Sequence, residues 1–180
     1  MNIKHLGFFV LMISFLIIGK SNKPSENVIY WSDDRPLTWS DFQGNPDYNY
    51  GDVSALTSSG ILHFKGCEND KIIYEIKAYF EKDYSWVKEE ALTDHHLQHE
   101  QIHFDITQLY AKKLELALDK KVFRCGEEEQ FDQFVQEFLM KWQKAQINYD
   151  LYSHYSMKRP EQNEWKHKVA LELSVFDDLE

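Results

Sequence analysis

The hydrophobic pattern changes period part-way along the chain. Residues 55–64 and 72–80 alternate apolar with polar positions. In the second stretch Ile72, Tyr74, Ile76, Ala78 and Phe80 share one face, and Glu75, Lys77 and Glu81 share the other. Successive side chains of a strand point to opposite faces, so the alternation predicts a half-exposed antiparallel sheet with a turn at residues 66–71. Val28, Ile29, Tyr30 and Trp31 predict another short strand. A turn at Asp33-Asp34-Arg35-Pro36 and a helical turn at Asp41-Phe42, capped by Ser40, follow it; residues 43–52 read as loop. Beyond residue 93 the spacing becomes helical. Leu97, Ile102, Ile106, Leu109, Tyr110, Leu114 and Ala117 recur at helical intervals, no glycine or proline interrupts residues 94–119, and Thr93 or Asp94 supplies a cap. Phe131, Phe134, Val135, Phe138, Leu139 and Trp142 mark a second helix over about residues 128–147, and a last helix is expected over residues 161–173. Strands first and helices after predict an α+β domain.

Composition fits one such domain. The 180 residues are 43% hydrophobic and 15% aromatic, enough for a core, and no repeat divides them. The N-terminus reads differently: a positive start at residues 1–5, an apolar run at residues 6–19, then Gly19-Lys20-Ser21. This is the layout of a secretory signal peptide over residues 1–21, leaving residues 22–180 as the domain. As a helix the run spans about 21 Å, short of the roughly 30 Å core of a bilayer, so no stable membrane insertion is expected once it is removed. The net charge is −10, and without Lys4 and Lys20 the domain carries 18 basic against 30 acidic residues. An acidic body argues against nucleic acid or anionic lipid as partner. Export into a periplasmic or extracellular space makes the cysteine pair readable: Cys67 and Cys125 are expected to form a disulfide that closes a 58-residue separation.

The candidate chemistry sits on the first long helix. His99, Glu100, Gln101, Ile102 and His103 spell His-Glu-x-x-His. Helical positions four apart are offset by about 40° and one turn of roughly 6 Å, so both imidazoles reach one zinc ion. Glu100 beside them is the general base that accepts a proton from zinc-bound water. A catalytic zinc takes a third protein ligand. His96 shares the face, but its Cα stands about 10 Å along the axis from that of His103, which is poor for tetrahedral convergence. His63 reads as a surface or core histidine of a strand. The residues themselves leave His154, in a polar and aromatic segment after the second helix, in competition with Glu127, Glu137 and Glu161. Asp105 either orients a ligand or faces water, and Tyr152, Tyr155 or His96 would serve as oxyanion helper.

Four patches carry a resemblance: Arg35-Pro36-Leu37-Thr38-Trp39-Ser40-Asp41-Phe42-Gln43-Gly44 after Trp31; Ala55-Leu56-Thr57-Ser58-Ser59-Gly60-Ile61; His99-Glu100-Gln101-Ile102-His103-Phe104-Asp105-Ile106; and Tyr149-Asp150 with His154, Gln162 and Trp165. In order, they resemble a bacterial domain-of-unknown-function family of exported zinc-dependent proteases of the zincin type. Ile102 departs from the pattern, where a small residue such as glycine is expected. The resemblance implies a zincin-like fold, a small antiparallel sheet packed on the motif helix with further C-terminal helices. It also implies a Zn2+ cofactor and favours His154 as third ligand. The expected function is a zinc metallopeptidase acting on peptide or protein substrates, with His99, His103 and His154 on the metal and Glu100 as base. The alternative is an exported zincin-like binding module without useful catalysis.

Overall fold

A computed structural model describes residues 27–49 and 53–177, so the expected leader over residues 1–21 lies outside the described residues. In chain order come β1 (Val28–Tyr30), β2 (Ala55–Leu56), β3 (Ser59–Glu68), β4 (Lys71–Glu81), β5 (Trp86–Val87), α1 (Asp94–Asp119), α2 (Glu128–Ser153) and α3 (Arg159–Asp177), with 3-10 turns at Trp39–Asp41 and Glu89–Ala91. The architecture is α+β, as the order of periodicities predicts. Among the described residues no helix is long and apolar enough to cross a membrane.

β4 is the middle strand of an antiparallel sheet ordered β1-β4-β3. Its even-numbered face supplies buried Ile72, Ile76, Ala78 and Phe80. The β3–β4 turn is tighter than expected. Only Asn69 and Asp70 stand outside the strands, with φ of 50° and 62°. A two-residue hairpin of the type that matches strand twist needs left-handed backbone at both positions, which Asn and Asp tolerate best after glycine. The single strand expected over residues 55–64 is instead split at Thr57-Ser58. The Ser58 N–H donates to Ser85 Oγ (2.9 Å), the Ser58 carbonyl accepts from the Glu81 N–H (2.8 Å), and the Thr57 hydroxyl donates to the Glu100 carbonyl (3.2 Å). Ala55 and Leu56 therefore leave the main sheet and pair antiparallel with Val87 and Trp86. The partners that make the split are remote in sequence, so local periodicity does not place it.

α1 spans the full stretch free of glycine and proline, and the Thr93 side chain caps it by accepting from the His96 N–H. It is apolar on two sides. Phe104, Ala111, Leu114 and Leu118 join the sheet residues and Phe131 and Val135 of α2 in one buried cluster. Ile102, Ile106 and Leu109 join Ala145 and Tyr149 of α2 and Val169 of α3 in another. The bulk of Ile102 is thus used in packing, at 1% exposure. The N-terminal segment is strapped to α1 by hydrogen bonds, with the Leu37 N–H donating to Gln101 Oε1 (2.7 Å) and Trp31 Nε1 to Asp105 Oδ1 (2.9 Å). In the 3-10 turn Thr38 occupies the cap position expected of Ser40, and its N–H donates to the buried Asp41 carboxylate at 2.9 Å. Burial pushes Asp41 up, but Thr38 and Arg35 outweigh it and hold its carboxyl below the ordinary range.

The expected disulfide forms between Cys67 and Cys125, with Cα atoms 5.7 Å apart. It is reinforced by the Ile72 N–H donating to the Phe123 carbonyl (2.9 Å) and by an Arg124–Asp70 ion pair (2.7 Å). Together they pin the hairpin tip to the loop between α1 and α2. Closing 58 residues in the unfolded chain removes loop entropy worth about 4 kcal/mol. Replacing both cysteines by serine is expected to lower unfolding free energy by about that amount in urea titrations at neutral pH.

Candidate metal centre

The centre is built where the first half of α1 faces the last turns of α2. His99 Nε2 lies 3.2 Å from Asp150 Oδ1, His103 Nε2 lies 3.0 Å from the same oxygen, and the two imidazole nitrogens are 3.2 Å apart. Among the described residues His99, His103 and Asp150 form the one group of three side chains able to hold a metal ion together. The histidine side chains are sheltered at 6% and 13% exposure, while Asp150 at 30% is the member nearest solvent.

The neighbours determine which atoms point inward. Gln146 Nε2 donates to the His103 carbonyl (2.9 Å) and to Thr107 Oγ1 (3.0 Å), which leaves Gln146 Oε1 to accept from His103 Nδ1 at 2.7 Å. With its hydrogen committed there, neutral His103 turns a bare Nε2 lone pair toward Asp150. Trp142 Nε1 donates to Thr107 Oγ1 (3.1 Å), and the hydroxyls of Thr107 and Ser59 are hydrogen-bonded at 2.8 Å, so α1, α2 and β3 share one polar node. Tyr149, fully buried, stacks on His99 at 4.7 Å and meets His103 edge-on at 4.8 Å. His99 Nδ1 is buried and has no hydrogen-bond partner among the described residues, so its ring is oriented by that stacking together with the contact of Nε2 to Asp150. Burial first, then the charges of Glu100 and Asp150, push the Tyr149 phenol up and keep it protonated.

Three electron-pair donors at mutual distances of 3.0–3.2 Å match a metal set. Ligands 2.0–2.1 Å from a tetrahedral ion stand about 3.3 Å apart. In the metal-free protein a proton substitutes in part. Burial pushes the His103 imidazole down, but the charge and hydrogen bond of Asp150, with help from Glu100 and Gln146, outweigh it and raise it to about 9. Burial likewise pushes Asp150 up, yet the two histidines hold it well below the ordinary carboxylate range. Glu100, 4% exposed, lies one position along α1 from His99, and its charge acts on His96, His103 and Tyr149.

The other expectations fare differently. The structure brings His99 and His103 together but seats Asp150, not His154, beside them. α2 continues six residues past its expected end, to Ser153. Gln146, Tyr149, Asp150 and Ser153 thereby extend the stripe of Trp142 onto the face toward α1, and His154 becomes the exposed, left-handed cap (φ 47°). Glu137 is exposed on α2; Glu127 accepts from the Arg124 N–H (2.7 Å), and Glu161 pairs with Lys158 (3.6 Å). Asp105 orients no ligand, since it accepts from Trp31 and Gln101. His96 is hydrogen-bonded through Nδ1 to Thr93 Oγ1 (2.8 Å), Tyr152 donates to Glu164 (2.8 Å) and Tyr155 is exposed. The signal for Asp150 was the uninterrupted run from Trp142 to Ser153, with no proline or glycine to end the helix.

Residues 80–156 match a bacterial family described as a protein of unknown function, DUF922. The span runs from the end of β4 through the turn after α2 and contains every residue of the centre. The family description carries no activity. No curated protein and no solved structure matches the chain.

The His103–Asp150 pair makes metal-free stability depend on pH. A histidine raised from 6.5 to about 9 stabilises the fold fully below pH 6.5 and loses that contribution as pH rises through 9. A carboxyl depressed below 3.8 contributes above that pH and loses its contribution in stronger acid. Urea midpoints measured with chelator present are expected to fall between pH 6.5 and 9, and Asp150→Asn is expected to flatten that fall.

Proposed function

We propose that the protein is an exported zinc-dependent peptidase of zincin type. The observation that carries this reading is the triangle of His99 Nε2, His103 Nε2 and Asp150 Oδ1 on a helix that also presents Glu100. Two imidazoles and one carboxylate are a donor set suited to a catalytic zinc, which leaves a coordination position open. The sheltered histidines, the committed tautomer of His103 and the matching separations support the fit. Bound there, zinc supplies Lewis acidity toward a peptide carbonyl.

The chain's own residues do the rest. Glu100 takes a proton from the attacking water at its carboxylate and returns it to the leaving amine. Gln146 keeps the His103 lone pair aimed inward, and Tyr149 keeps the His99 ring in plane. The Thr57 hydroxyl, just after β2, donates to the Glu100 carbonyl and so holds that strand's end against the helix that carries the base, where an extended peptide laid alongside would reach the centre. The Cys67–Cys125 disulfide suits an oxidising compartment and supports export.

Purified protein is expected to hold one zinc per chain and to cleave members of a broad peptide library until a chelator is added. Glu100→Gln should keep the zinc and lose at least 10²-fold in kcat. Asp150→Ala should lose the zinc itself, whereas His154→Ala should retain both metal and activity. Zinc retention without hydrolysis of any peptide by the unmodified protein would favour the binding-module alternative.

A further inference from the structure

α2 ends in a backbone conformation that only strong contacts can sustain. His154, Tyr155 and Ser156 have φ of 47°, 53° and 71°, three left-handed residues in a row and none of them glycine. Single non-glycine residues in this region are uncommon, and such strain persists where the surroundings over-determine it. Part of the restraint comes from α2 itself. The N–H groups of His154 and Tyr155 both donate to the Asp150 carbonyl, the latter at 2.9 Å, and the Lys158 N–H donates to the Ser153 carbonyl at 2.9 Å. The residue whose side chain enters the centre is therefore also the residue on which the turn hangs.

The remaining restraint comes from outside α2. The carbonyl of Ser156, itself buried, accepts from His95 Nε2 at 2.5 Å. A carbonyl only accepts, so Nε2 carries a hydrogen, and in the neutral ring Nδ1 is then a lone pair. That lone pair faces Gln162 Nε2 at 3.3 Å; the same nitrogen is 3.1 Å from the His95 carbonyl and 3.4 Å from Gln98 Oε1. Gln162 has no exposure at all, and its Oε1 has no partner among the described residues. Its amide is thus oriented entirely by what α1 needs from its nitrogen, at the expense of its own oxygen. His95 stands one helical turn before His99. Asp150 is consequently bracketed along α2: Gln146 ties the preceding turn to His103, and Ser156 ties the following turn to His95.

We infer that His95 and Gln162 are positioning residues for the metal centre, clamping the left-handed turn to α1 so that the Asp150 carboxylate is held against the two histidines. This rests on the metal-centre reading above. Its test compares full-length chains carrying His95→Leu, His95→Gln and Gln162→Leu. A glutamine at position 95 can still present a donor to the Ser156 carbonyl, and a leucine cannot. Zinc affinity is read by competition with a chromophoric chelator at a temperature where all chains are folded. The cobalt-substituted absorption spectrum reports coordination, and amide exchange of Tyr155 and Lys158 reports the turn without metal.

The leucine variants are expected to bind zinc roughly 10–100-fold more weakly, the range seen when a group supporting a metal ligand is removed. They should also shift the cobalt spectrum and exchange the turn amides at least tenfold faster, while His95→Gln stays near the unmodified protein. Gln162→Leu tests the clamp from the α3 side should His95→Leu not fold. Unchanged affinity and unchanged exchange in the leucine variants would overturn the inference, as would equal losses in His95→Leu and His95→Gln. If the unmodified protein takes up no zinc, the peptidase reading falls, and turn exchange alone then decides for or against the clamp.

Discussion

A helix that buries apolar residues on two sides has little circumference left for polar groups, and α1 is in that position. Phe104, Ala111, Leu114 and Leu118 are committed to the sheet side, and Ile102, Ile106 and Leu109 to α2 and α3. What remains at its N-terminal half is a narrow lane holding His99, His103 and Thr107, and that lane is where α2 crosses. The polar groups there are shielded because the apolar ones beside them are packed. The burial of α1 therefore sets the low exposure, the choice of tautomers and the strength of the charge coupling all at once.

In that lane the dominant electrostatic fact is a surplus of acceptors. The Asp150 oxygen, the His103 lone pair and His99 Nε2 lie within 3.2 Å of one another, and a positive charge shared among them relieves the crowding of acceptors. A single proton meets part of the need, which is why His103 is driven up and Asp150 down despite burial acting against both. A divalent cation held by His99, His103 and Asp150 would meet it on all three sides. Gln146, Thr107, Trp142 and Ser59 form a hydrogen-bonded support whose geometry makes sense chiefly as a means of keeping His103 in the one orientation that exposes its lone pair.

Much of this was readable from residue order. The alternating face of residues 72–80, the uninterrupted helix over residues 94–119, the His-Glu-x-x-His register and the pairing of the two cysteines all follow from local periodicity or from spacing, and the structure contains the corresponding elements. What could not be read depended on where one element meets another. The break at Thr57-Ser58 is made by hydrogen bonds to Ser85, Glu81 and α1, partners remote in sequence. Asp150 was missed because the polar, aromatic composition of residues 149–156 suggests a turn, whereas Tyr149 and Ser153 are buried against neighbouring helices and continue α2. His154 sits in the same patch of sequence, four residues away, but on the wrong side of the helix end. The order of that patch, Tyr-Asp before His, held the answer once the helix was known to reach it.

The disulfide acquires a different meaning from its location. It lies at the end of α1 near Asp119, about 24 Å along the helix from His103, whereas the histidine–aspartate triangle lies toward the other end. The sulfur–sulfur bond therefore fastens the hairpin tip to the loop at one end of the α1–α2 pair, and the histidine–aspartate triangle joins the two helices at the other. A reductant that opened the disulfide would release the hairpin tip from the α1–α2 loop while leaving the hydrogen bonds of the triangle, at the far end of α1, in place.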